Sequence, residues 1–376
     1  MKIAAFNVEN LFNRPRVFDA KYAGIATELI AAASELSALF EEAAYDAATR
    51  ARMLVLMEVL GILTSDSSTF VWLRRIRGGL IRRPRSGPPE IIATGRGDWI
   101  GWLEFKTQPV NETAIHNTGR VIRDIAADVL AVVEAENRIT LKMFSDAVLA
   151  HVNAEVAQPI TYDQVMLIDG NDERGIDVGL MARGGHRIGA ITSHIDDLNP
   201  RGEPIFSRDC PEYHVTTPSG ARVIVIPNHF KSKYGGNDAA SRNRRRAQAT
   251  RTAEIYATLR AQGHDNIVIL GDLNDTPDSA ELAPLLGTDL RDVGTHPSFE
   301  TGAFAGKGTH DLGNDTAKLD YLLLSPALWG RVTASGLFRM GNWPGSSPKR
   351  WPVYPTLTRK SHAASDHHPI WAEISL

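Results

Sequence analysis

Cysteine is almost absent from this sequence, which contains only Cys210 among its 376 residues. A single thiol excludes an intrachain disulfide and a metal site built from several thiolates, and it fits a reducing compartment. Long hydrophobic runs are also missing, because no segment approaches the ~20 apolar residues that a membrane-spanning helix needs. The N-terminal apolar run is too short for a signal peptide. We therefore expect a cytoplasmic protein without a membrane partner.

An excess of charge of one sign is missing too, since 41 basic and 44 acidic residues give a formal net charge of -3. This balance excludes a generally basic surface, so a polyanion would have to be bound by local patches. The 43% hydrophobic content is sufficient for a large buried core. Nothing in the composition indicates an obligate protein partner.

Short runs rich in Val, Ile and Leu recur along the chain, each next to polar residues. They are "KIAAF", "DVLAVV", "RVIVI", "NIVIL" and "YLLLS". Continuous apolar runs of this length are typical of strands buried on both faces. Helical patterns separate some of them, and the longest, "SRNRRRAQATRTAEIYATLRAQG", ends at Gly263 as a C-cap. The alternation predicts an α/β fold with its sheets inside and its helices outside.

Residues 13–110 have a different pattern. The stretch "ATELIAAASELSALFEEAAYDAATRARMLVLMEVLGIL" predicts two helices, and "DWIGWLEF" predicts a strand. Between them, "FVWLRRIRGGLIRRPRSGPPEII" interleaves arginines with a tryptophan, which suits either stacking on unpaired bases or a packed hairpin with charged edges. We interpret the region as a largely helical insertion at about 13–110 within a single catalytic domain, 1–376.

The stretch "NIVILGDLNDTP" places Asp272 and Asn274 at the end of a buried strand. Because the two residues are two positions apart, their side chains can point the same way. A carboxylate beside a carboxamide suits deprotonating a water and hydrogen-bonding a phosphoryl oxygen. The alternative is an Asx turn that begins the next helix.

The C-terminal stretch "SDHHPIWAEI" begins a strand with an acid and two histidines. Neighbouring side chains on a strand face opposite ways, so we assign His367 to the site and His368 to packing. His367 would act as a general base or as a transition-state donor, while Asp366 holds a metal or orients the site. The alternative is that the histidine only covers the sheet edge.

Polar residues also flank the other strands. They are Asp320 before "YLLLS", Asn228, His229 and Lys231 in "IPNHFKSK", Glu134 and Glu136 in "VVEAENR", and Asn7 and Glu9 in "FNVEN". An acid placed like Asp320 can orient an imidazole. Oxygen ligands without cysteine suit a hard divalent ion, for which we expect Mg²⁺, with Mn²⁺ as the alternative.

Together and in this order, these clusters resemble the endonuclease/exonuclease/phosphatase superfamily, which includes pancreatic deoxyribonuclease, abasic-site endonucleases, sphingomyelinases and inositol-polyphosphate phosphatases. The resemblance runs from "FNVEN" to "SDHHPI" and excludes the insertion. It implies a four-layered α/β/β/α sandwich with two central mixed sheets. It also implies that a divalent metal assists the cleavage of a phosphoester.

The resemblance implies roles for the site residues. Asp272 and Asn274 would handle the nucleophilic water and the phosphate. Asp320 would orient His367, which stabilises the transition state or moves a proton, and His229 would be a general acid for the leaving oxygen. The implied metal-contacting residues are Asn7, Glu9, Glu134 and Asp366.

Two alternatives stay open beside these assignments. The family usually has Gln before the Glu of its second motif, where this chain has Val133, and Glu136 is the other candidate acid. The stretch "ITSHIDDLN" has a His and two Asp that resemble a ligand set. We assign it to a surface loop, because such clusters are common in connections.

The arginine-rich stretch "SRNRRRAQATR" follows the strand that ends at His229. A basic helix beside a phosphoesterase site could hold a nucleic-acid backbone, or it could be a solvated face paired with acids. We expect substrate contacts from Asn228, Lys231, Arg242, Arg245 and Arg246.

The clusters raise three hypotheses for the function. The first is a metal-dependent phosphodiesterase that hydrolyses nucleic acid. The second is a phosphatase or phosphodiesterase that acts on a small or lipid-linked phosphate. The third is a binding or scaffold module without catalysis, which the complete set of polar clusters disfavours.

Overall fold

The structure is a computed structural model, and it describes residues 1–9, 23–106, 111–172, 175–233 and 238–376. The chain divides into two compact units. One comprises Met1–Phe12 with Val110–Leu376, and the other comprises Asn13–Pro109. We retain as a proposal the interpretation of the second unit as an insertion into one catalytic domain.

The described residues form strands along the whole chain. They are β1 (Lys2–Asn7), β2 (Val71–Arg77), β3 (Ile81–Arg82), β4 (Glu90–Ile91), β5 (Ile100–Phe105), β6 (Val129–Ala135), β7 (Gln164–Leu167), β8 (Asp177–Ala182), β9 (Arg187–Thr192), β10 (Glu212–Thr216), β11 (Arg222–His229), β12 (Ile267–Asp272), β13 (Arg291–Asp292), β14 (Phe299–Glu300), β15 (Asp320–Leu324), β16 (Val332–Leu337) and β17 (Ile370–Ile374).

Helices connect many of these strands. They are α1 (Ala23–Phe40), α2 (Ala47–Val59), α3 (Glu112–Ile125), α4 (Arg138–Met143), α5 (Ala150–Asn153), α6 (Ala239–Ala261), α7 (Ala283–Leu286) and α8 (Pro326–Trp329). A π-helical segment, Phe144–Leu149, joins α4 to α5. Within the described ranges, short 3-10 turns lie at Val293–Thr295, Asp315–Ala317 and Lys360–His362. None of the helices in the described part of the chain has the length and apolar character needed to cross a membrane.

The larger unit contains two sheets. One has seven strands in the order β14-β16-β17-β1-β6-β8-β7, and the other has six in the order β13-β15-β12-β11-β10-β9. Both are mixed, because β1 pairs with β6 and β11 with β12 in parallel while their other neighbours are antiparallel. The α/β class predicted from the alternating pattern is confirmed.

The inner faces of the two sheets share one apolar cluster, in which Ile3 and Val129 of the first sheet meet Val225 and Val268 of the second. The opposite face of the first sheet packs with α3, and the opposite face of the second packs with α6. Burying each large aliphatic side chain contributes ~1.5–3 kcal/mol, so these clusters supply most of the driving force for the fold. The continuous apolar runs of the sequence exist because each strand is covered on both faces.

The two long helices of this unit begin at capping side chains. The carboxylate of Asp238 accepts a hydrogen bond from the backbone N–H of Ser241 at the start of α6, and Asn111 caps α3 by accepting from Ala114. α6 ends at Ala261, and Gly263 follows with φ +86°. Because only glycine adopts this left-handed conformation without strain, Gly263 terminates the helix as the sequence predicted, one residue beyond the cap position.

The smaller unit has its own apolar core. α1 and α2 pack with the antiparallel pair β2 and β5, and the buried residues include Leu36, Met53 and Trp99. The helix pair and the strand lie where the sequence predicted them. On the exposed side of the strand pair, the Arg74 guanidinium lies 4.5 Å from the centre of the Trp72 ring and forms an ion pair with Glu104.

Gly271 is the glycine of the "GDLND" stretch, and the backbone there tolerates no side chain. Its φ is +124°, and a Cβ at this position would lie 2.2 Å from the carbonyl oxygen of Asn228 on the adjacent strand. We predict that Gly271→Ala destabilises the fold by about 2 kcal/mol or more. Chemical denaturation measures this change in the free energy of unfolding.

Gly330 provides the matched control, because its φ is negative and a Cβ there would meet no atom within 4 Å. Gly330→Ala should leave the free energy of unfolding within about 0.5 kcal/mol of the wild-type value. Equal stabilities of the two variants would contradict the close backbone approach at Gly271.

Candidate active site

Polar residues from both sheets meet at one edge. β1 and β6 run parallel and end at Asn7 and Ala135, while β11 and β12 run parallel and end at His229 and Asp272. β15 runs antiparallel to β12, so its first residue, Asp320, pairs directly with Asp272. The last residues of β1, β6, β11 and β12 and the first residue of β15 therefore lie at one edge. This explains why the polar clusters of the sequence lie next to apolar runs.

Side-chain alternation selects which of these residues face the space between the sheets. Along β1, Ile3 and Ala5 lie in the shared inner cluster, and Asn7 continues their series. Along β12, Val268 and Leu270 do so, and Asp272 continues theirs. As a result, the Nδ2 of Asn7 in the first sheet lies 3.2 Å from the Oδ2 of Asp272 in the second.

Glu134 reaches the site by breaking the alternation. Leu130 faces the helix-covered side of the first sheet, and strict alternation would send Glu134 to the same side. The register shifts between Val133 and Ala135, and Glu134 has φ +67°. This β-bulge returns Ala135 to the helix side. The Oε1 of Glu134 lies 3.3 Å from the Nδ2 of Asn7.

Left-handed backbone recurs among the site residues. Glu9, Glu134 and Asn274 have φ of +52°, +67° and +55°, which non-glycine residues adopt at a cost of about 1–3 kcal/mol each. Strain of this kind persists where surrounding contacts fix the conformation, and it concentrates at functional sites. The Asn274 conformation is fixed by hydrogen bonds from its Nδ2 to the carbonyl oxygen of Phe230, 3.1 Å, and to the Oδ2 of Asp272, 3.0 Å.

Asp272 is the most enclosed carboxylate of the site, with 1% of its surface exposed. Its Oδ1 accepts a hydrogen bond from the backbone N–H of Asn274, 2.9 Å, and its Oδ2 accepts from the amides of Asn7 and Asn274. Burial raises the pKa of Asp272 to about 7; His367 opposes the rise and Asp320 adds to it. The amide donors hold the carboxylate in one orientation.

His367 is held by an acid from a neighbouring strand. Its Nδ1 lies 2.8 Å from the Oδ2 of Asp320, and its Nε2 lies 3.9 Å from the Oδ2 of Asp272. Burial alone would lower the pKa of His367, but the charges of Asp320 and Asp272 outweigh burial and raise the pKa well above its ordinary value. Backbone contacts also fix the residue: its N–H donates to Ser365, and its carbonyl oxygen accepts from Asn342.

In the second sheet, Asp272 on β12 pairs with His229 on β11 and, on the other side, with Asp320 on β15. Asp320 is the residue that binds His367. The Nε2 of His229 is 3.6 Å from the Oδ2 of Asp272 and 3.8 Å from the Oε1 of Glu134. Two imidazoles therefore flank one buried carboxylate. The structure brings together most of the residues predicted for the site: Asn7, Glu134, His229, Asp272, Asn274, Asp320 and His367.

The other two predicted metal contacts lie at the rim. The Oε2 of Glu9 accepts a hydrogen bond from the backbone N–H of Asp366, 3.2 Å, and the backbone N–H of Glu9 donates to the Oδ1 of Asn7, 3.1 Å. The Oδ1 of Asp366 lies 3.9 Å from the Nε2 of His367. Glu9 therefore contacts the buried group through Asn7, and Asp366 lies next to it at His367.

The predicted substrate residues separate into two groups. Asn228 and Arg245 point away from the site edge: the Asn228 amide donates to the carbonyl oxygen of Ile226 on the α6 side of the second sheet, and Arg245 is fully buried against Asp275. Neither is available to a substrate. Arg245 contacts the site indirectly, because its Nη1 also donates to the carbonyl oxygen of Lys231, 3.2 Å.

The remaining three are accessible. Lys231 is half-buried, and Arg246 is exposed on α6. Arg242 is 45% exposed, with its Nε 3.7 Å from the Oε1 of Glu281. Arg242 and Arg246 lie on one face of α6 by their four-residue spacing.

The structure also shows the surroundings of two histidines that the sequence analysis placed outside the site, His368 and His194. His368 is 1% exposed, and its ring packs edge-on against Trp351 with centroids 5.0 Å apart. His194 lies in the loop after β9, between the carboxylates of Asp197, 3.0 Å, and Glu212, 2.9 Å. Its ring nitrogens bind two different carboxylates, which fits a structural role in the loop.

His310 is a site residue that the sequence analysis missed. It lies in the loop between β14 and β15, and its ring is 4.8 Å from the ring of His367. Its Nε2 is 3.5 Å from the Oδ2 of Asp366. Burial alone would lower the pKa of His310, but Asp366 outweighs burial and raises it. The polar triplet "THD" at 309–311 was the available signal in the sequence, but no apolar run lies next to it to mark its position.

The Asp320 and His367 pair yields a testable prediction. Removing the negative charge with Asp320→Asn should lower the pKa of His367, because that charge favours the imidazolium form. NMR titration of the His367 ring protons in metal-free protein measures the pKa. Asp289→Asn is the control, since Asp289 bonds to Tyr256 instead. An unchanged His367 pKa in Asp320→Asn would contradict the pairing.

Similar solved structures include mannosyl-6-phosphatase from Bacteroides thetaiotaomicron, with 14% identity, a TM-score of 0.48, and coverage of 70% of this chain and 91% of that one. Truncated TDP2 from Caenorhabditis elegans has 14% identity, a TM-score of 0.44, and coverage of 69% and 89%. The human Nocturnin catalytic domain with bound sulfate has 13% identity, a TM-score of 0.47, and coverage of 70% and 86%.

Among curated proteins, no sequence matches this chain. The sequence model of the Endonuclease/Exonuclease/phosphatase family matches residues 101–335, which is more than half of the chain. The match confirms the resemblance drawn from the strand-end motifs. The chain therefore belongs to the Endonuclease/Exonuclease/phosphatase family, whose members are hydrolases that act on phosphoesters.

Proposed function

We propose that the protein is a divalent-metal-dependent phosphodiesterase that hydrolyses nucleic acid. The observation that carries the proposal is the buried group around Asp272. Asn7 and Asn274 hold its carboxylate by hydrogen bonds, and His229 and His367 approach the same oxygen at 3.6 and 3.9 Å. A fixed carboxylate between two imidazoles has the acid and base groups that phosphoester hydrolysis needs.

The donor set fits a hard divalent cation. In the described part of the chain, the ion-pair partners of Glu134, Asp272 and Asp320 are histidines and not Lys or Arg. Several carboxylates close together repel one another, and a cation with oxygen ligands, such as Mg²⁺ or Mn²⁺, would offset this repulsion. The residues that would hold it are Asn7, Glu9, Glu134 and Asp366. When bound, the cation supplies positive charge to the phosphoryl oxygens.

The protein side chains would then divide the proton transfers. Asp272 accepts a proton from the attacking water, while the Nε2 of His367 donates a hydrogen bond to a phosphoryl oxygen in the transition state. Asp320 positions His367 through its Nδ1. His229 protonates the leaving oxygen. One proton is taken and one is given, so the hydrolysis is balanced.

The assignment of a polymeric substrate depends on the surface of α6. Arg242 and Arg246 share its exposed face by their four-residue spacing. Paired cations at this spacing suit successive backbone phosphates of a nucleic acid.

A small or lipid-linked phosphate is the second candidate substrate, and the pairing of two other arginines of α6 with carboxylates favours it. Arg245 is fully enclosed with Asp275, and Arg251 is paired with Asp197 and Glu254. These two contribute no free charge to a polyanion, so the basic stretch of the sequence is less basic at the surface than its composition indicates.

The catalytic assignment is tested on plasmid DNA, single-stranded DNA, RNA and a panel of phosphomonoesters, each with Mg²⁺, with Mn²⁺ and with EDTA. We expect cleavage of a polynucleotide that requires metal and that falls ~10²–10⁴-fold in His367→Ala, through loss of the transition-state donor. His264→Ala is the matched control. It replaces a half-buried histidine that packs edge-on against His214.

Release of phosphate from monoesters without cleavage of a polynucleotide would overturn the nucleic-acid assignment and support the second candidate. No hydrolysis of any substrate by folded wild-type protein would overturn catalysis itself. Cleavage by His367→Ala at the wild-type rate would remove that residue from the mechanism.

The role of the arginines is tested by salt dependence. If Arg242 and Arg246 contact phosphates, the Arg242→Ala/Arg246→Ala variant should bind DNA more weakly and show a shallower dependence of log Kd on log salt, by roughly one unit of slope per lost contact. Fluorescence anisotropy with a labelled oligonucleotide measures both quantities. Arg201→Ala, at an 80% exposed arginine, is the control. An unchanged slope in the double variant would contradict the contacts.

A further inference from the structure

His310, Asp366 and His367 form a compact group of possible metal ligands at the rim of the site. One ligand atom from each lies within 4.8 Å of the others. The carboxylate of Asp366 lies between the two imidazoles: its Oδ2 is 3.5 Å from the Nε2 of His310, and its Oδ1 is 3.9 Å from the Nε2 of His367. The two rings are tilted by 67°, so they do not stack face to face.

One of these spacings is already close to what a tetrahedral ion requires. Bonds of ~2.0–2.1 Å from a zinc ion to nitrogen and oxygen, at tetrahedral angles, separate the ligand atoms by about 3.4 Å. The Oδ2 of Asp366 lies 3.5 Å from the Nε2 of His310, close to this value, while its Oδ1 lies 3.9 Å from the Nε2 of His367, about 0.5 Å longer.

The backbone around the group is held in place. The N–H of Asp311 donates to the carbonyl oxygen of Asp366, 2.7 Å, and His310 forms an isolated β-bridge with His367. The loop of His310 is fixed in turn by its N–H, which donates to the carbonyl oxygen of Ala317, 3.1 Å. The three side chains are therefore brought together by tertiary structure and not by a chance contact of exposed residues.

His367 is oriented as a metal-ligating histidine usually is. Its Nδ1 is bonded to the carboxylate of Asp320, which leaves its Nε2 3.9 Å from the carboxylates of both Asp366 and Asp272. A carboxylate on the far nitrogen fixes the ring and strengthens the other nitrogen as a ligand. The side chains of His310 and Asp366 are 35% and 36% exposed, so an ion and a water ligand can reach the group from solvent.

We propose that His310, Asp366 and His367 form a site for a first-row transition ion, with Zn²⁺ as the ion of best fit. Asp366 belongs to both proposed ligand sets, but the two imidazoles are nitrogen donors, unlike Asn7 and Glu134, and nitrogen ligands select Zn²⁺ over Mg²⁺. Because Zn²⁺ would occupy the Nε2 of His367, it would inhibit phosphoester hydrolysis. This second statement rests on the proposed function, whereas binding itself does not.

Binding is measured first on metal-free, full-length protein with Co²⁺ as a spectroscopic probe and Zn²⁺ as competitor, in the presence of excess Mg²⁺. We expect one Co²⁺ per chain with visible absorption typical of four-coordinate nitrogen and oxygen ligation, and its displacement by Zn²⁺. His310→Ala should bind Zn²⁺ at least ~100-fold more weakly, since loss of a ligand costs more than loss of an outer hydrogen bond.

His264→Ala should bind like the wild type, and thermal unfolding checks that each variant is folded; His310→Gln replaces His310→Ala if the latter unfolds. Zn²⁺ affinity that is the same in wild type and in the His310 variant would overturn the site. Absence of Co²⁺ binding by the wild type would do the same.

Inhibition is measured separately, as the Zn²⁺ concentration that halves Mg²⁺-dependent hydrolysis. We expect this concentration to rise at least ~10-fold in His310→Ala, because Zn²⁺ then has lost one protein ligand. If no substrate is hydrolysed, the proposed function fails while the Co²⁺ result still decides the metal site. If Zn²⁺ binds at His310 but does not inhibit, the coupling to His367 is wrong.

Discussion

The hydrogen bonds from Asn7 to Glu134 and Asp272 are the contacts on which the site depends. They join the end of the first strand to a neighbour in its own sheet and to a strand of the second sheet, 265 residues away in sequence. The apolar cluster between the sheets brings their inner faces together, and Asn7 lies where that cluster ends. The site is therefore the polar continuation of the core, and its geometry is fixed by the packing beneath it.

The site costs free energy of folding because it buries carboxylates and holds residues in strained backbone conformations. Asp272 and Asp320 are almost completely enclosed, and enclosing a carboxylate is unfavourable unless charges and hydrogen bonds compensate. The amides of Asn7 and Asn274 and the imidazole of His367 provide that compensation. The same contacts hold the left-handed backbone of Asn274. Groups that stabilise a buried carboxylate in one orientation also preorganise it for chemistry.

Much of this arrangement could be predicted from the sequence, because side chains two residues apart on a strand point to the same face of the sheet. The inner-face series that contains Ile3 and Ala5 leads to Asn7, and the apolar run before Asp272 leads to that carboxylate. Alternation likewise separates His367 from His368. The same rule, applied to adjacent residues of β11, would have separated Asn228 from His229 and removed Asn228 from the substrate contacts.

Other features could not be read from local patterns. Glu134 faces the site because of a β-bulge that no residue type in the sequence indicates. Arg245 is buried because its partner, Asp275, approaches from 30 residues away. His310 reaches His367 through a loop whose path depends on tertiary hydrogen bonds. In each case the deciding contact is distant in sequence, so composition and spacing carry no information about it.

The proposed hydrolysis requires that the carboxylates around Asn7 bind a divalent metal. The most direct measurement is the rate of phosphodiester hydrolysis as a function of Mg²⁺ concentration, for the wild type and for Glu134→Gln. Glu134 contacts the Asn7 amide and is 17% exposed, so the change removes one charge with little change in shape. The account predicts no rate without metal and a higher Mg²⁺ requirement in the variant. Hydrolysis that persists in EDTA, or identical Mg²⁺ curves for the two proteins, would contradict it.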